Sequence, residues 1–327
     1  MTRIVLFLLL AAAALAAPYV LYPVFLMKAF CFAIFASALN LLLGYGGLLS
    51  FGHAALFGGS AYVAGHAAKV WGLPTELAMI TGVACGALIG LVFGVLTSRR
   101  AGIYFAMITF ALSQMVYFIA LQLPFTGGED GLQAVPRGHF LGILDLRSDR
   151  TLYYVMLVIL VAAVWFVHRV VTSPFGHVVR AMRDNETRVI SLGYKPQQLK
   201  IVLFTLSGAL AGLAGGSKSI VLGIASLTDV YWHTNGEVVL MTILGGVGTL
   251  FGPVVGAFVV VLLQNYLAET GAWVTIIQGV VFVVIVLCFR RGIVGELSPL
   301  LRRWLQLEPP SPMGAAKPAE LAEREHA

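Results

Sequence analysis

Apolar residues run along most of this chain in long stretches, separated by short polar or glycine-rich interruptions. The stretches cover 4–22, 24–43, 48–70, 77–97, 102–123, 151–168, 201–222, 236–248, 250–268 and 273–289. A helix needs about 20 apolar residues to cross the hydrocarbon of a bilayer, and most stretches approach that length. The pattern predicts an all-α, polytopic integral membrane protein with about ten (eight to ten) transmembrane helices. Two segments are irregular: 48–70 is broken by Gly47, Gly52, Gly58 and Gly59, and 236–248 is short for a full crossing. Either is expected to be interrupted or re-entrant, which lipid tolerates only where the freed backbone is satisfied by protein.

Composition sharpens this picture. Of 327 residues, 59% are hydrophobic and 11% charged, against about 25% charged in soluble domains. With a mean hydropathy of +0.91, a water-soluble fold is excluded. The 36 glycines predict close helix packing, because small residues let transmembrane helices approach. Cys31, Cys85 and Cys288 sit in apolar runs with no CxxC pair and no His at ligand spacing, so neither a disulfide framework nor a zinc site is expected.

Charge sets the orientation. With the N-terminus inside and every segment crossing, the inner face holds fifteen of the 21 Lys and Arg but seven of the 15 Asp and Glu. That asymmetry follows the positive-inside rule and accounts for the +6 net charge without a nucleic-acid partner. Residues 1–303 then form the membrane domain, with loop 124–150 outside (periplasmic) and loop 169–200 inside (cytoplasmic). Both termini are cytoplasmic, and 304–327 is a polar tail expected to be disordered. Residues 1–16 have a second reading as a signal peptide, since Arg3 precedes an apolar stretch ending in Ala14-Leu15-Ala16. Either reading delivers residue 23 outside.

Catalytic signatures are missing: there is no H-E-x-x-H and no G-x-S-x-G. Gly212-Leu213-Ala214-Gly215-Gly216-Ser217-Lys218-Ser219 comes within one residue of a phosphate-binding loop, but it ends an apolar helix rather than following a strand. The chain is therefore not expected to hydrolyse ATP. Lys28, Glu237 and Glu269 fall near outer segment ends, where the Lys28 stem can snorkel. No segment carries the row of Asp, Glu or His that a proton relay needs, so energy is expected to enter elsewhere.

The inner loop is punctuated as helices. Ser173-Pro174 places a hydroxyl cap before a proline at the first helical position, and 175–183 can then run as a basic helix. Asp184 or Asn185 caps a second helix over 185–192, Glu186 favours its N-terminal end, Gly193 stops it, and a further helix opens at Pro196. Val189, Ile190 and Leu192 form an apolar side flanked by Arg180, Arg183 and Arg188. Such an element suits contact with another protein or with anionic lipid.

These residues resemble the permease subunits of bacterial ABC importers for branched-chain amino acids. Ser173-Pro174-Phe175-Gly176, Arg180-Ala181-Met182-Arg183-Asp184-Asn185-Glu186 and Leu192-Gly193 are similar to that family's cytoplasmic coupling segment. Leu43-Gly44-Tyr45-Gly46-Gly47-Leu48-Leu49-Ser50-Phe51-Gly52-His53-Ala54-Ala55, Gly102-Ile103-Tyr104-Phe105-Ala106-Met107-Ile108-Thr109, Thr126-Gly127-Gly128-Glu129-Asp130-Gly131-Leu132 and Gly245-Gly246-Val247-Gly248-Thr249-Leu250-Phe251-Gly252-Pro253 resemble its other motifs, together spanning about residues 35–290. Arg188-Val189 stands where the family usually has small residues, and Leu48 where a Gln is common.

The resemblance implies a multi-pass subunit of the bacterial inner membrane that carries no cofactor of its own. A second permease subunit, two cytoplasmic ATPases holding ATP and Mg, and a periplasmic substrate-binding protein would be its partners. Related subunits serve urea and short amides, and a self-contained secondary transporter is the alternative from another class. Coupling would fall to Arg180, Arg183, Asp184, Glu186 and Gly193, with Arg183 and Glu186 reaching the neighbouring protein. Asn40, Ser50, His53, Thr109, Ser113 and Gln114 are polar groups at membrane depth. They can bond either a passing zwitterion or a neighbouring helix. Glu129 and Asp130, after two glycines, are candidates to meet the binding protein. The glycine motifs at 44–52 and 245–252 resemble each other, as internal repeats of transporters do.

Overall fold

The computed structural model of the protein describes residues 15–19, 22–140, 144–267, 279, 280, 283, 287 and 292–296. Most of segments 4–22 and 273–289, most of residues 1–16, the tail 304–327, Cys288 and Glu269 lie outside the described residues.

Five helices are long and apolar enough to cross a membrane. They are α1 (Pro23–Asn40, continued by a π turn over Leu41–Tyr45), α3 (Thr75–Thr97), α4 (Gly102–Gln122), α5 (Asp149–Thr172) and α8 (Pro196–Leu222). Three apolar helices are shorter: α2 (His53–Lys69), α9 (Trp232–Gly245) and α10 (Gly252–Leu267), of 17, 14 and 16 residues. The two segments expected to be irregular are both shortened, and so is 250–268, which was not expected to be; the sequence's ten crossings reduce to five full-length helices among the described residues. Between α5 and α8 lie α6 (Pro174–Asp184) and α7 (Glu186–Ser191).

A helix that is apolar on every side must be buried on every side. α1 is that helix: it is enclosed by α5, α8, α9 and α10, and from Ala29 to Asn40 every residue is buried. Phe30 meets Tyr153 at 5.3 Å, and Phe35 stacks on Phe57 of α2 at 4.3 Å. α3, α4 and α5 instead turn large apolar side chains outward, among them Leu88, Met115, Phe118, Val158 and Trp165, as a lipid-facing ring requires.

The closest helix pair is α3 against α8. Gly82, Gly86, Gly90 and Gly94 recur every four residues on α3; the first three meet Gly208, Gly212 and Gly216 of α8, and Gly94 meets Ile201 and Phe204. A Cβ on Gly86 would stand 2.7 Å from the Gly212 Cα, and one on Gly90 2.8 Å from the Phe204 carbonyl oxygen. The backbones are in contact, which is the close approach expected of the glycine content.

At the end opposite α6 and α7, loop 124–150 is more than a coil. β1 (Leu132–Gln133) pairs antiparallel with β4 (Ile224–Ala225), and β2 (His139–Phe140) with β3 (Leu144–Asp145). Arg137 binds the loop down through Asp149 at 2.6 Å and the Val221 carbonyl at 2.5 Å. Among the described residues these short ladders are the departure from an all-α chain. Period-two signals do not register in strands of two residues.

Gly86→Leu forces the α3–α8 seam apart and is expected to destabilise the protein by about 1–3 kcal/mol or more. Gly236→Ala, where a Cβ meets open space, is expected to be tolerated. Thermal unfolding of the detergent-purified chain compares the two.

Candidate functional site

Two helices of this bundle are interrupted, and the interruptions touch. The first runs from the π turn through residues 46–52 to the start of α2, and the second from Gly246 to Phe251, between α9 and α10. The first break returns into the bundle. Phe51 at the end of the break bonds Thr109 of α4, and His53 at the start of α2 bonds Ser207 of α8; these partners stand about 10 and 16 Å along their helices at 1.5 Å per residue.

Non-helical backbone at that depth must find partners within the protein. Gly47 and Leu48 donate to the Leu43 and Leu42 carbonyls at 3.1 Å. The Phe51 N–H donates to Thr109 Oγ1, and the Gly52 N–H to Ser50 Oγ, both at 3.1 Å. The Ala54 N–H in the first turn of α2 donates to Asn235 Oδ1 of α9 at 2.7 Å, and Asn235 Nδ2 donates to Ser113 Oγ at 3.3 Å. The second break is held from the opposite direction: Asn40 of α1 accepts from the Gly248 N–H and donates to the Thr249 carbonyl, each at 2.9 Å. Each unit of helix, break and helix supplies one asparagine to the other: Asn40 bonds within the second break, and Asn235 bonds the first turn of the helix that follows the first. The resemblance between the two glycine motifs therefore has a physical counterpart. They face each other across a gap that admits no side chain, since a Cβ on Gly44 would lie 2.5 Å from the Gly248 nitrogen.

This accounts for most of the polar candidates at membrane depth. Asn40, Ser50, Thr109 and Ser113 serve the breaks as above, and His53 Nε2 bonds Ser207 Oγ at 2.8 Å with its ring over Phe204. Gln114 Nε2 is buried without a partner among the described residues. None of the six lines the large groove beside the first break. That groove, about 880 Å³, is lined by apolar residues including Leu48, Phe51, Phe105, Met107, Phe110 and Trp232. Asn235, only 1% exposed, stands one residue before the apolar run 236–248, so the sequence pattern does not place it at membrane depth.

The α6–α7 end follows its sequence punctuation. Ser173 Oγ accepts from the Gly176 N–H at 3.2 Å and Asn185 Oδ1 from the Arg188 N–H at 3.0 Å. Gly193, at φ +85°, ends α7. Arg180 is spent on the end of α5, donating to the Val171 carbonyl at 2.8 Å. The two side chains expected to reach a neighbouring protein have partners inside this chain. Arg183 donates to the Gly44 carbonyl at 2.5 Å with its stem packed on Gly47, and Glu186 pairs with the buried Lys200 at 2.9 Å. Val189, expected on an outward apolar side, is buried, whereas Ile190, Leu192 and Tyr194 are exposed. Asp184 is exposed beside Arg183, and Glu129 and Asp130 stand exposed at the opposite end.

Charge inside the bundle exceeds the expectation. Lys218, placed at a segment end by the apolar pattern, is 6% exposed and forms an ion pair with Asp229, itself 5% exposed. The spacing of 11 residues across a helix end hides this pair from any helical periodicity.

A polytopic helical bundle with paired breaks and a capped helical hairpin at one end is the architecture of a membrane transport subunit. Residues 23–287 match the family described as "Branched-chain amino acid transport system / permease component", and the chain belongs to it. It is 25% identical over 309 residues to the high-affinity branched-chain amino acid transport system permease protein LivM of Escherichia coli (strain K12), covering 88% of this chain and 71% of that protein. It is 28% identical over 197 residues to the probable branched-chain amino acid transport permease protein LivM of Methanocaldococcus jannaschii, covering 58% and 54%. It is also 28% identical over 196 residues to the ribose import permease protein RbsC of Bacillus subtilis (strain 168), covering 55% and 58%. No solved structure matches the chain. The protein is an ABC-type permease subunit, a transport component rather than an enzyme. Among the described residues no group of three or more His, Cys, Asp or Glu is placed to hold a metal.

Asn235→Leu strands the Ala54 N–H and is expected to lower stability by about 1 kcal/mol. Asn235→Asp, which keeps the acceptor but brings an unpaired charge into a buried site and loses the donor to Ser113, is expected to lose more. Thermal unfolding in detergent ranks the variants.

Proposed function

We propose that this chain is one of two permease subunits of an ABC importer that carries branched-chain or other hydrophobic amino acids delivered by a periplasmic binding protein, with ATP and Mg held by two cytoplasmic ATPases. In this reading the α6–α7 end is cytoplasmic, both termini lie on that side of the bacterial inner membrane, and the chain crosses about ten times, in line with its ten apolar segments. The carrying observation is the apolar groove at the first break: Leu48 contributes to it, and it offers an aliphatic side chain apolar surface that urea or a short amide would leave unused.

Coupling follows from the connections of α6 and α7. Ile190, Leu192 and Tyr194 offer the exposed apolar surface on which an ATPase docks, ringed by Asp184 and Arg188. Arg183 ties α6 to the Gly44 carbonyl, and Glu186 ties α7 to Lys200 at the start of α8. A displacement of the hairpin is thereby applied to the first break and to the α8 backbone. Gly193 confines α7 to a short rigid lever. Glu129 and Asp130 at the other end are the acidic groups available to a binding protein.

Two variants separate docking from transmission. Leu192→Glu is expected to reduce the ATPase recovered with the tagged permease. Arg183→Ala combined with Glu186→Gln is expected to retain the ATPase and its hydrolysis while abolishing ATP-driven leucine uptake into proteoliposomes. Undiminished uptake by the double variant refutes the transmission role. Uptake of urea but not leucine by the wild-type complex refutes the substrate reading.

A further inference from the structure

At the end opposite α6 and α7 lies a second cavity, about 510 Å³, between α1, α8, α9 and α10. That volume falls within the range of small-molecule pockets, roughly 300–1,000 Å³. Four formal charges line it: Lys28, Lys218, Asp229 and Glu237. Their sum is zero.

Two of the four are committed to the fold. Lys218 and Asp229 pair with each other, and Asp229 Oδ2 also accepts from the Ser226 N–H at 3.3 Å, closing the turn after β4. The other two are available. Lys28 forms no ion pair among the described residues, and its ammonium lies 6.0 Å from the centre of the Phe32 ring. Glu237 is oriented through one oxygen only: Oε1 accepts from Gln264 Nε2 at 2.7 Å and faces His233 Nδ1 at 3.6 Å. Its Oε2 takes no bond among the described residues.

From this geometry we infer a binding site for the α-ammonium and α-carboxylate of an amino acid, the carboxylate on Lys28 and the ammonium on Glu237 Oε2. The inference rests on the amino acid importer reading and deepens it. A site of net zero charge at low dielectric favours a net-neutral zwitterion, because an ion of either sign would leave one buried charge uncompensated. Phe32, Leu222 and Tyr231 supply apolar wall for a side chain. The place in the fold suits a staging site. His233 and Glu237 of α9 face this cavity, whereas Trp232 and Gly236 of the same two turns face the groove at the first break, so the start of α9 is the partition between them.

The test uses the assembled permease–ATPase complex in nanodiscs without its binding protein, with leucine, leucinamide and isocaproate as probes in saturation-transfer NMR. Wild type is expected to bind leucine on the order of tenfold more tightly than either analogue, each of which lacks one charge. Lys28→Met is expected to erase the preference for leucine over leucinamide, Lys28→Arg to keep it, and Glu237→Gln to erase the preference over isocaproate. A merely structural role for these residues would not move the two preferences separately. Each variant tests the site independently, so one that fails to assemble leaves the other decisive. Unchanged preferences in an assembled variant, or no leucine binding by wild type, overturn the site. ATP-driven leucine uptake with the binding protein present is measured in parallel. Its absence in wild type defeats the amino acid reading itself, whereas intact uptake with no effect of the variants on probe binding defeats the site alone.

Discussion

Backbone that leaves a helix inside a bilayer has no water to bond, and this protein does so twice at neighbouring positions. Everything at its centre follows from meeting that demand. Asn40 bonds the second break and Asn235 the start of α2 after the first, so neither half of the arrangement is complete without the other. An orphaned buried N–H costs about as much as several ordinary contacts contribute, which makes this reciprocal capping a condition for the breaks to exist at all. The groove, the partition at α9 and the attachment of the α6–α7 hairpin are all built around the geometry it holds.

Around this centre the chain alternates between parts that cannot yield and parts that can. The α3–α8 seam is backbone against backbone, and close-packed surfaces of this kind move as rigid bodies. The breaks are short, glycine-rich and held by a few directional bonds. In the proposed coupling, a load applied through Arg183 at Gly44 or through Glu186 at Lys200 would meet a stiff frame with two joints in it. The ends of the molecule divide the remaining work: apolar side chains Ile190, Leu192 and Tyr194 are exposed at one, and a charged cavity with sum zero opens at the other.

Much of this was legible without coordinates, and the reason is locality. The length of an apolar run determines whether a helix can cross, and the five full-length helices fall on five of the predicted segments. Caps act within three or four residues, so Ser173, Asn185 and Gly193 marked the hairpin correctly. The glycines at Gly47 and Gly52 announced an interruption, and α2 begins only at His53, whereas Gly58 and Gly59, also expected to break the segment, lie inside α2, where Gly58 lets the Asp229–Val230 backbone approach. The same locality explains the failures. Val189 shares an apolar run with Ile190 and Leu192 that reads as one outward side, yet it turns inward, and strands of two residues leave no period to detect.

By itself, then, the amino-acid sequence determined the class of protein, its apolar segments, its breaks and the capped hairpin, because each depends on residues near one another in the chain. What a polar side chain in the membrane is bonded to was decided by tertiary structure alone. Asn40 reaches across 209 residues to Thr249 and Asn235 across 181 to Ala54. Such partners are chosen by which helices pack together, and no spacing along the chain encodes them. The folded bundle likewise turned Lys218 and Asp229 from charges at a segment boundary into a buried pair, and left Lys28 and Glu237 facing an open cavity.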